Sequence, residues 1–253
     1  MSELELNGLE VSFGGVRALR GITLNLEQGE IVSLIGPNGA GKTTVLNAIC
    51  RMVKASSGGI FYRGQEISRI RPHLIARLGI ARTFQNIHLL AGATVLDNLM
   101  TARHTQTPMD PLAALVYRNK AKNAELRNRE RVEEILAFLG LQRFRRQPAG
   151  ELPYGIQKVV ELARALCLEP GLLLLDEPAA GLDPDEVADM ALWIQDINRG
   201  RGATILMIEH DMNLVAQVSN RVVVLDQGRI LTQGTPESVQ ANPDVARAYL
   251  GVP

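Results

Sequence analysis

Apolar and polar positions alternate through residues 3–35. The segments LELNGLEVSF and ITLNLEQGEIVSLI read as strands, with turns at FGG (13–15) and EQGE (27–30). A helix is expected from Lys42 to Met52, a short hairpin over GGIFYRGQEI (58–67), a helix over RPHLIARLG (71–79) and a strand over IARTFQ (80–85). Across residues 94–146 the alternation gives way to helical spacing. NKAKNAELRNRERVEEILAFLGL is the clearest case, with Val132, Ile135, Leu136 and Leu139 on one face. After Gly155 short aliphatic runs return between helical stretches. A helix to Leu168 is followed by strand GLLLLDE (171–177), a helix over 184–200 and strand ATILMIE (203–209). Then come a helix over 211–218, strand RVVVLDQG (221–228) and a helical tail. Continuous aliphatic strands separated by helices predict a parallel sheet covered on both faces. The expected class is α/β, with a helical unit inserted into the core. There is no internal repeat and no low-complexity linker.

Composition narrows the class. The chain has 253 residues, 46% of them hydrophobic and 21% charged, enough to bury a substantial core. Lys+Arg and Asp+Glu both number 27, so there is no global basic field for nucleic acid. No apolar run reaches the ~18–20 residues that span a bilayer, and the acidic MSELELNGLE start lacks the order of a signal peptide. The expected location is therefore the cytosol. Cys50 and Cys167 stand alone in apolar helical runs, as reduced core residues do. Residues 117–146 carry nine Lys/Arg against four Asp/Glu, which reads as a solvated helix face or as proximity to a membrane surface or acidic partner.

Two motifs carry chemistry. GPNGAGKT (36–43) follows the apolar strand EIVSLI and opens a helix. In that context Gly36, Pro37, Asn38, Gly39, Ala40 and Gly41 form a loop whose N–H groups curl around phosphate oxygens, assisted by the positive end of the helix. Lys42 would reach the β- and γ-phosphates of ATP, the Thr43 hydroxyl would bind Mg²⁺, and Thr44 continues the helix beside the nucleotide. LLLLDEP (172–178) places two carboxylates at a strand end. Asp176 is the candidate Mg²⁺ group, and Glu177 the base for the attacking water.

With these residues in this order, nearly the whole chain resembles the nucleotide-binding subunit of ATP-binding cassette transporters. The resemblance implies a P-loop core with a parallel sheet, an antiparallel β subdomain at the N-terminus and an inserted helical subdomain. Residues 1–253 would form one domain, with 1–93 and 158–253 as core and 94–157 as the helical part. It implies that Phe13 stacks on adenine, and that Gln85 of TFQN touches Mg²⁺ or water and senses the membrane partner. Asp183 of AAGLDP would act across a dimer interface, and His210 of IEHD would contact the γ-phosphate. The family's signature loop, usually Leu-Ser-Gly-Gly-Gln, aligns with LPYGIQ. Leu152 and Gly155 match, Pro153, Tyr154 and Ile156 depart, and Gln157 follows. That loop binds the ATP held by an opposite subunit. Here Gly155 and the following helix's positive end remain to face an anion.

The departures, with DEPAAGL and NPDVARAYLG (242–251), are similar to importer subunits for branched-chain and other hydrophobic amino acids, of the LivG type. The ARHTQTPMDPLAALVYRNKA region (102–121) also looks like that branch. Importers for urea or short amides share much of the pattern. The resemblance implies transmembrane permease subunits, a homodimer or a heterodimer with a second cassette subunit, and an indirect substrate-binding protein. It places the chain at the inner face of the cell membrane. A cassette ATPase acting on ribosomes or DNA stays open as another class. A purely regulatory nucleotide module is disfavoured by the intact Glu177 and His210.

Overall fold

The computed structural model describes residues 2–104 and 118–250. Most of the 102–121 region, and Gly251, lie outside them.

Strands β1 (Ser2–Phe13) and β2 (Val16–Glu27) form a long antiparallel hairpin. Its alternation is real: Leu4, Leu6, Leu9 and Val11 of β1 and Leu19, Ile22, Leu24 and Leu26 of β2 are buried. Strand β3 (Ile31–Ile35) then leaves for a second sheet, and helix α1 (Lys42–Ile49) follows it. Strands β4 (Ser57–Tyr62) and β5 (Gln65–Glu66) return to the hairpin, giving the order β2-β1-β4-β5.

The second sheet is built on β3. It also contains β6 (Ile80–Arg82), β7 (Leu172–Asp176), β8 (Thr204–Ile208), β9 (Arg221–Asp226) and β10 (Arg229–Gly234), in the order β10-β9-β3-β8-β7-β6. All pairings are parallel except β9 with β10. β3, β7 and β8 are buried at every position, which is why they read as unbroken aliphatic runs. Leu172, Leu173, Leu174 and Leu175 are each fully buried, and each contributes about 2 kcal/mol by burial.

Helices pack on this sheet and on one another. They are α2 (Pro72–Ile75), α3 (Val95–His104), α4 (Arg118–Phe138), α5 (Tyr154–Leu166) and α6 (Pro184–Arg201). Further along come α7 (Met212–Val218), α8 (Pro236–Gln240) and α9 (Pro243–Leu250). The expected α4 face, Val132, Ile135 and Leu136 with Leu139 just beyond, is buried in one cluster with Val95 and Leu99 of α3 and with Val159 and Leu162 of α5.

Four expectations change. Helix α1 stops at Ile49, because Arg51 turns left-handed (φ 60) and the amides of Arg51 and Met52 bond back to Ala48 and Asn47. The helix over 71–79 is only α2 followed by a 3₁₀ turn (Ala76–Leu78), stopped by left-handed Gly79. The strand over 80–85 ends at Arg82, and the residues beyond it turn toward the site. The helical tail is preceded by β10. Gln227 (φ 44) and Gly228 (φ 78) are both left-handed, the two-residue turn that closes a tight hairpin between Asp226 and Arg229.

Candidate nucleotide site

The carboxyl ends of the parallel strands converge, and ligands of open α/β sheets bind at that edge. β3 runs into the glycine loop, β6 into Thr83 and Gln85, β7 into Asp176 and Glu177, and β8 into Glu209 and His210. A cavity of about 280 Å³ opens there, lined by Ala18, residues 38–44, Gln85 and Glu177.

The loop's shape requires glycine at two positions. A Cβ on Gly36 (φ 144) would meet the Leu225 carbonyl oxygen at 2.0 Å, and one on Gly41 (φ 105) the Ala18 oxygen at 2.9 Å. Gly41 caps α1, whose amino end points its free N–H groups at the loop. The Lys42 ammonium is folded onto the loop, donating to the carbonyls of Gly36 (2.6 Å) and Pro37 (3.0 Å). Burial lowers its pKa, and the charges of Glu177 and Asp176 partly offset that. Gly36 N–H donates to the Tyr249 hydroxyl of α9 at 2.9 Å.

Glu177 sits in left-handed backbone (φ 50), an uncommon conformation for a non-glycine residue. Gln85 Nε2 donates to its Oε2 at 2.8 Å, and His210 Nε2 lies 3.1 Å from its Oε1. Both carboxylate oxygens are therefore oriented. Asp176 is nearly fully buried. Its Oδ2 accepts from Arg82 Nη2 at 2.7 Å, while Oδ1 is buried with no hydrogen-bond partner among the described residues. A buried carboxylate oxygen left open, next in sequence to the cavity-lining Glu177, suits a hard cation such as Mg²⁺, held mainly by oxygens and phosphate. Among the described residues no cluster of three or more His, Cys, Asp or Glu offers an all-protein metal cage.

Not every expected residue meets the cavity. Phe13 stands at the hairpin tip, half exposed, and Ala18 further along β2 is the hairpin residue that lines the cavity. Asp183 caps α6, accepting from the amides of Asp185 (3.0 Å) and Glu186 (2.9 Å), and Glu186 Oε2 accepts from Asp183 N–H in return. In the signature loop, Leu152 is buried and its carbonyl accepts from Gln157 Nε2 at 2.7 Å. Pro153 is the residue before α5 and makes no side-chain cap. Ile156 packs on the core. Tyr154 is exposed, its ring against Gly181. A Cβ on Gly155 would fall 1.9 Å from Glu186 Oε1, so a side chain there would displace the Glu186 carboxylate. Within the chain, the positive end of α5 already faces a carboxylate.

Several residues here escaped sequence reasoning. Lys158, buried on α5, donates to the carbonyls of Gln85 (2.9 Å) and Glu177 (3.4 Å), and its ammonium lies 5.8 Å from the Tyr154 ring centre. Burial lowers its pKa. Glu209 accepts three backbone N–H bonds, from Ala179, His210 and Asp211. That pins the loop after β7 to the loop after β8. The available signal was a charged residue inside an apolar run, which marks burial and not a partner.

A glycine loop between a buried strand and a helix, with paired carboxylates ending a nearby parallel strand, defines a P-loop nucleotide-binding protein. The chain belongs to the ABC transporter family, whose profile matches residues 19–180, and the ATP-binding proteins of that family are ATPases. A second family, the branched-chain amino acid ATP-binding cassette transporters, matches residues 229–253. The high-affinity branched-chain amino acid transport ATP-binding protein BraF of Pseudomonas aeruginosa is 42% identical over 248 residues, covering 98% of this chain and 97% of its own. LivG of Escherichia coli gives the same figures, 42% over 248 residues with 98% and 97% covered. Among solved structures, a nucleotide-free ATP-binding cassette from an ABC transporter superposes with TM-score 0.86 at 31% identity, covering 98% of each chain. An ADP conformation of such a cassette gives TM-score 0.85 at 31% identity, with 99% of each chain covered.

Proposed function

We propose that this chain hydrolyses ATP to power import of branched-chain amino acids through separate permease subunits at the inner face of the cell membrane. The observation that carries the reading is Glu177, held by Gln85 and His210 at the mouth of the phosphate loop. Residues 36–44 cradle the phosphates, and Lys42 leaves the loop carbonyls for the β- and γ-oxygens. Thr43 and Asp176 would hold Mg²⁺, which would supply positive charge against the transferred phosphoryl group. Glu177 takes the proton of the attacking water. His210 meets the γ-phosphate, and Phe13 meets the adenine. Residues 152–157 and Asp183 face the nucleotide of a second cassette, either a copy of this chain or a related subunit. No described helix is long and apolar enough to cross a membrane, which supports the need for separate permeases. The substrate follows from the relatives' names and from the C-terminal family match.

The test has two parts. Glu177→Gln should retain ATP binding and lose turnover by about 10²–10⁴-fold, the usual worth of a general base. Near-normal hydrolysis would remove Glu177 from the role. Affinity purification of the tagged chain from its own membranes in mild detergent should recover two permeases and a second cassette, with leucine uptake as the following assay. Recovery of a ribosomal or DNA-repair complex without permeases would overturn the transport assignment.

A further inference from the structure

Arg82 lies beneath the site and has no part in the reading above. It ends β6, and its side chain is only 6% exposed. Nη2 donates to Asp176 Oδ2 at 2.7 Å, and Nη1 donates to Asn47 Oδ1 at 2.7 Å. The guanidinium also lies 5.0 Å from the centre of the Phe84 ring. Asn47 belongs to α1, the helix that begins with Lys42 and Thr43, whereas Asp176 ends β7. One rigid, permanently charged fork therefore joins the phosphate-loop helix to the strand that bears the buried carboxylate.

Stability alone explains this poorly. Two charges taken out of water lose several kcal/mol of hydration each, and a buried pair roughly breaks even against apolar packing. The gain lies in geometry. A guanidinium nitrogen bound to one carboxylate oxygen stops the carboxylate from rotating. With Oδ2 taken, Oδ1 is the oxygen of Asp176 that remains available, and it is buried without a partner among the described residues. The Asn47 bond fixes where that oxygen lies relative to the helix carrying Thr43.

We propose that Arg82 is a positioning residue for the divalent cation: it presents Asp176 Oδ1 and, through Asn47, sets the spacing between α1 and β7. This rests on the assignment of Thr43 and Asp176 to Mg²⁺. Partners behind a metal ligand typically change metal affinity by about 10–100-fold.

The experiment measures binding of a fluorescent ATP analogue in EDTA and across a Mg²⁺ titration, using wild type, Arg82→Gln, Arg82→Lys and Asn47→Ala. Arg82→Gln should raise the Mg²⁺ concentration for half-maximal effect about tenfold and leave metal-free nucleotide affinity within about twofold. Arg82→Lys and Asn47→Ala should show smaller shifts in the same direction. A folded Arg82→Gln with the wild-type Mg²⁺ midpoint overturns the proposal, as does an equal loss with and without the metal. Should Arg82→Gln not fold, unchanged midpoints in both Arg82→Lys and Asn47→Ala overturn it. A wild-type chain whose nucleotide binding ignores Mg²⁺ would instead refute the underlying metal assignment.

Discussion

Gln85 is bonded directly to Glu177, Nε2 to Oε2 at 2.8 Å, while His210 approaches the other oxygen of the same carboxylate. Residues 85 and 210 thus share one partner and are not independent. Gln85→Ala and His210→Ala should each lower kcat roughly 10- to 100-fold, the worth of one hydrogen bond to a charged group. The double variant should fall short of the product of the two losses by a coupling of about 0.5–3 kcal/mol. Steady-state ATPase rates for the four proteins of the cycle check this. Strict additivity would mean that the two side chains act separately.

Glu161 is buried in α5, and burial raises its carboxyl pKa above 4.5, partly offset by the His88 N–H, Arg164 and Lys158. The folded state holds that proton more tightly than the unfolded state does. Stability from this group is therefore complete below pH 4.5 and is lost as pH rises through the folded pKa. Glu161→Gln should raise Tm at pH 8, by about 2–4 °C for each kcal/mol recovered, and the gain should vanish below pH 4.5. Thermal melts across pH 4–8 read it directly. A gain that does not change with pH would remove burial of the charge as its cause.

Gly155 and Glu186 occupy one space. Gly155→Ala should push the Glu186 carboxylate aside and break the reciprocal cap of α6, costing about 1 kcal/mol beyond any effect on α5 propensity. Glu186→Ala removes the Glu186 half of the cap by itself, leaving Asp183 on the amides of residues 185 and 186, but also removes the obstruction. The double variant should therefore be less destabilised than the sum of the two, which chemical denaturation can measure.

The Tyr249 hydroxyl accepts from the Gly36 amide at 2.9 Å. Tyr249→Phe deletes that acceptor and little else. It should cost about 1 kcal/mol of stability and weaken ATP binding more than it lowers kcat. Nucleotide titrations beside turnover rates separate the two effects.

The features legible in the sequence are those whose partners lie close along the chain. The glycine loop, the LLLL run ending in Asp176 and Glu177, and the α4 stripe each declare themselves within about a dozen residues. The tight turn at Gln227 and Gly228 was equally local, yet the polar alternation of β10, half exposed as an edge strand, resembles a loop more than a core strand. What stayed hidden depends on remote pairing. Arg82 meets a carboxylate 94 residues away, and Lys158 a carbonyl 73 residues away. A charged residue in an apolar run signals that something must neutralise it, but only the topology of the sheet decides what. Asp183 illustrates the opposite case. Its capping role is legible locally, in the Glu three residues on.

Strand β3 lies between β8 and β9 at the centre of the sheet, and its flank is tied to the β8 side across 175 residues of chain, from Gly29 to Thr204. During synthesis the hairpin β1–β2 can close at once, because its two halves are adjacent. β3 cannot. At about 5–20 residues per second, its nearest neighbour emerges from the ribosome roughly 10–35 s later. For that interval a five-residue aliphatic strand, buried at every position in the finished protein, has both edges unsatisfied. The segment that ends in the phosphate loop is thus made early and completed late. Until then its open edges can pair with other chains.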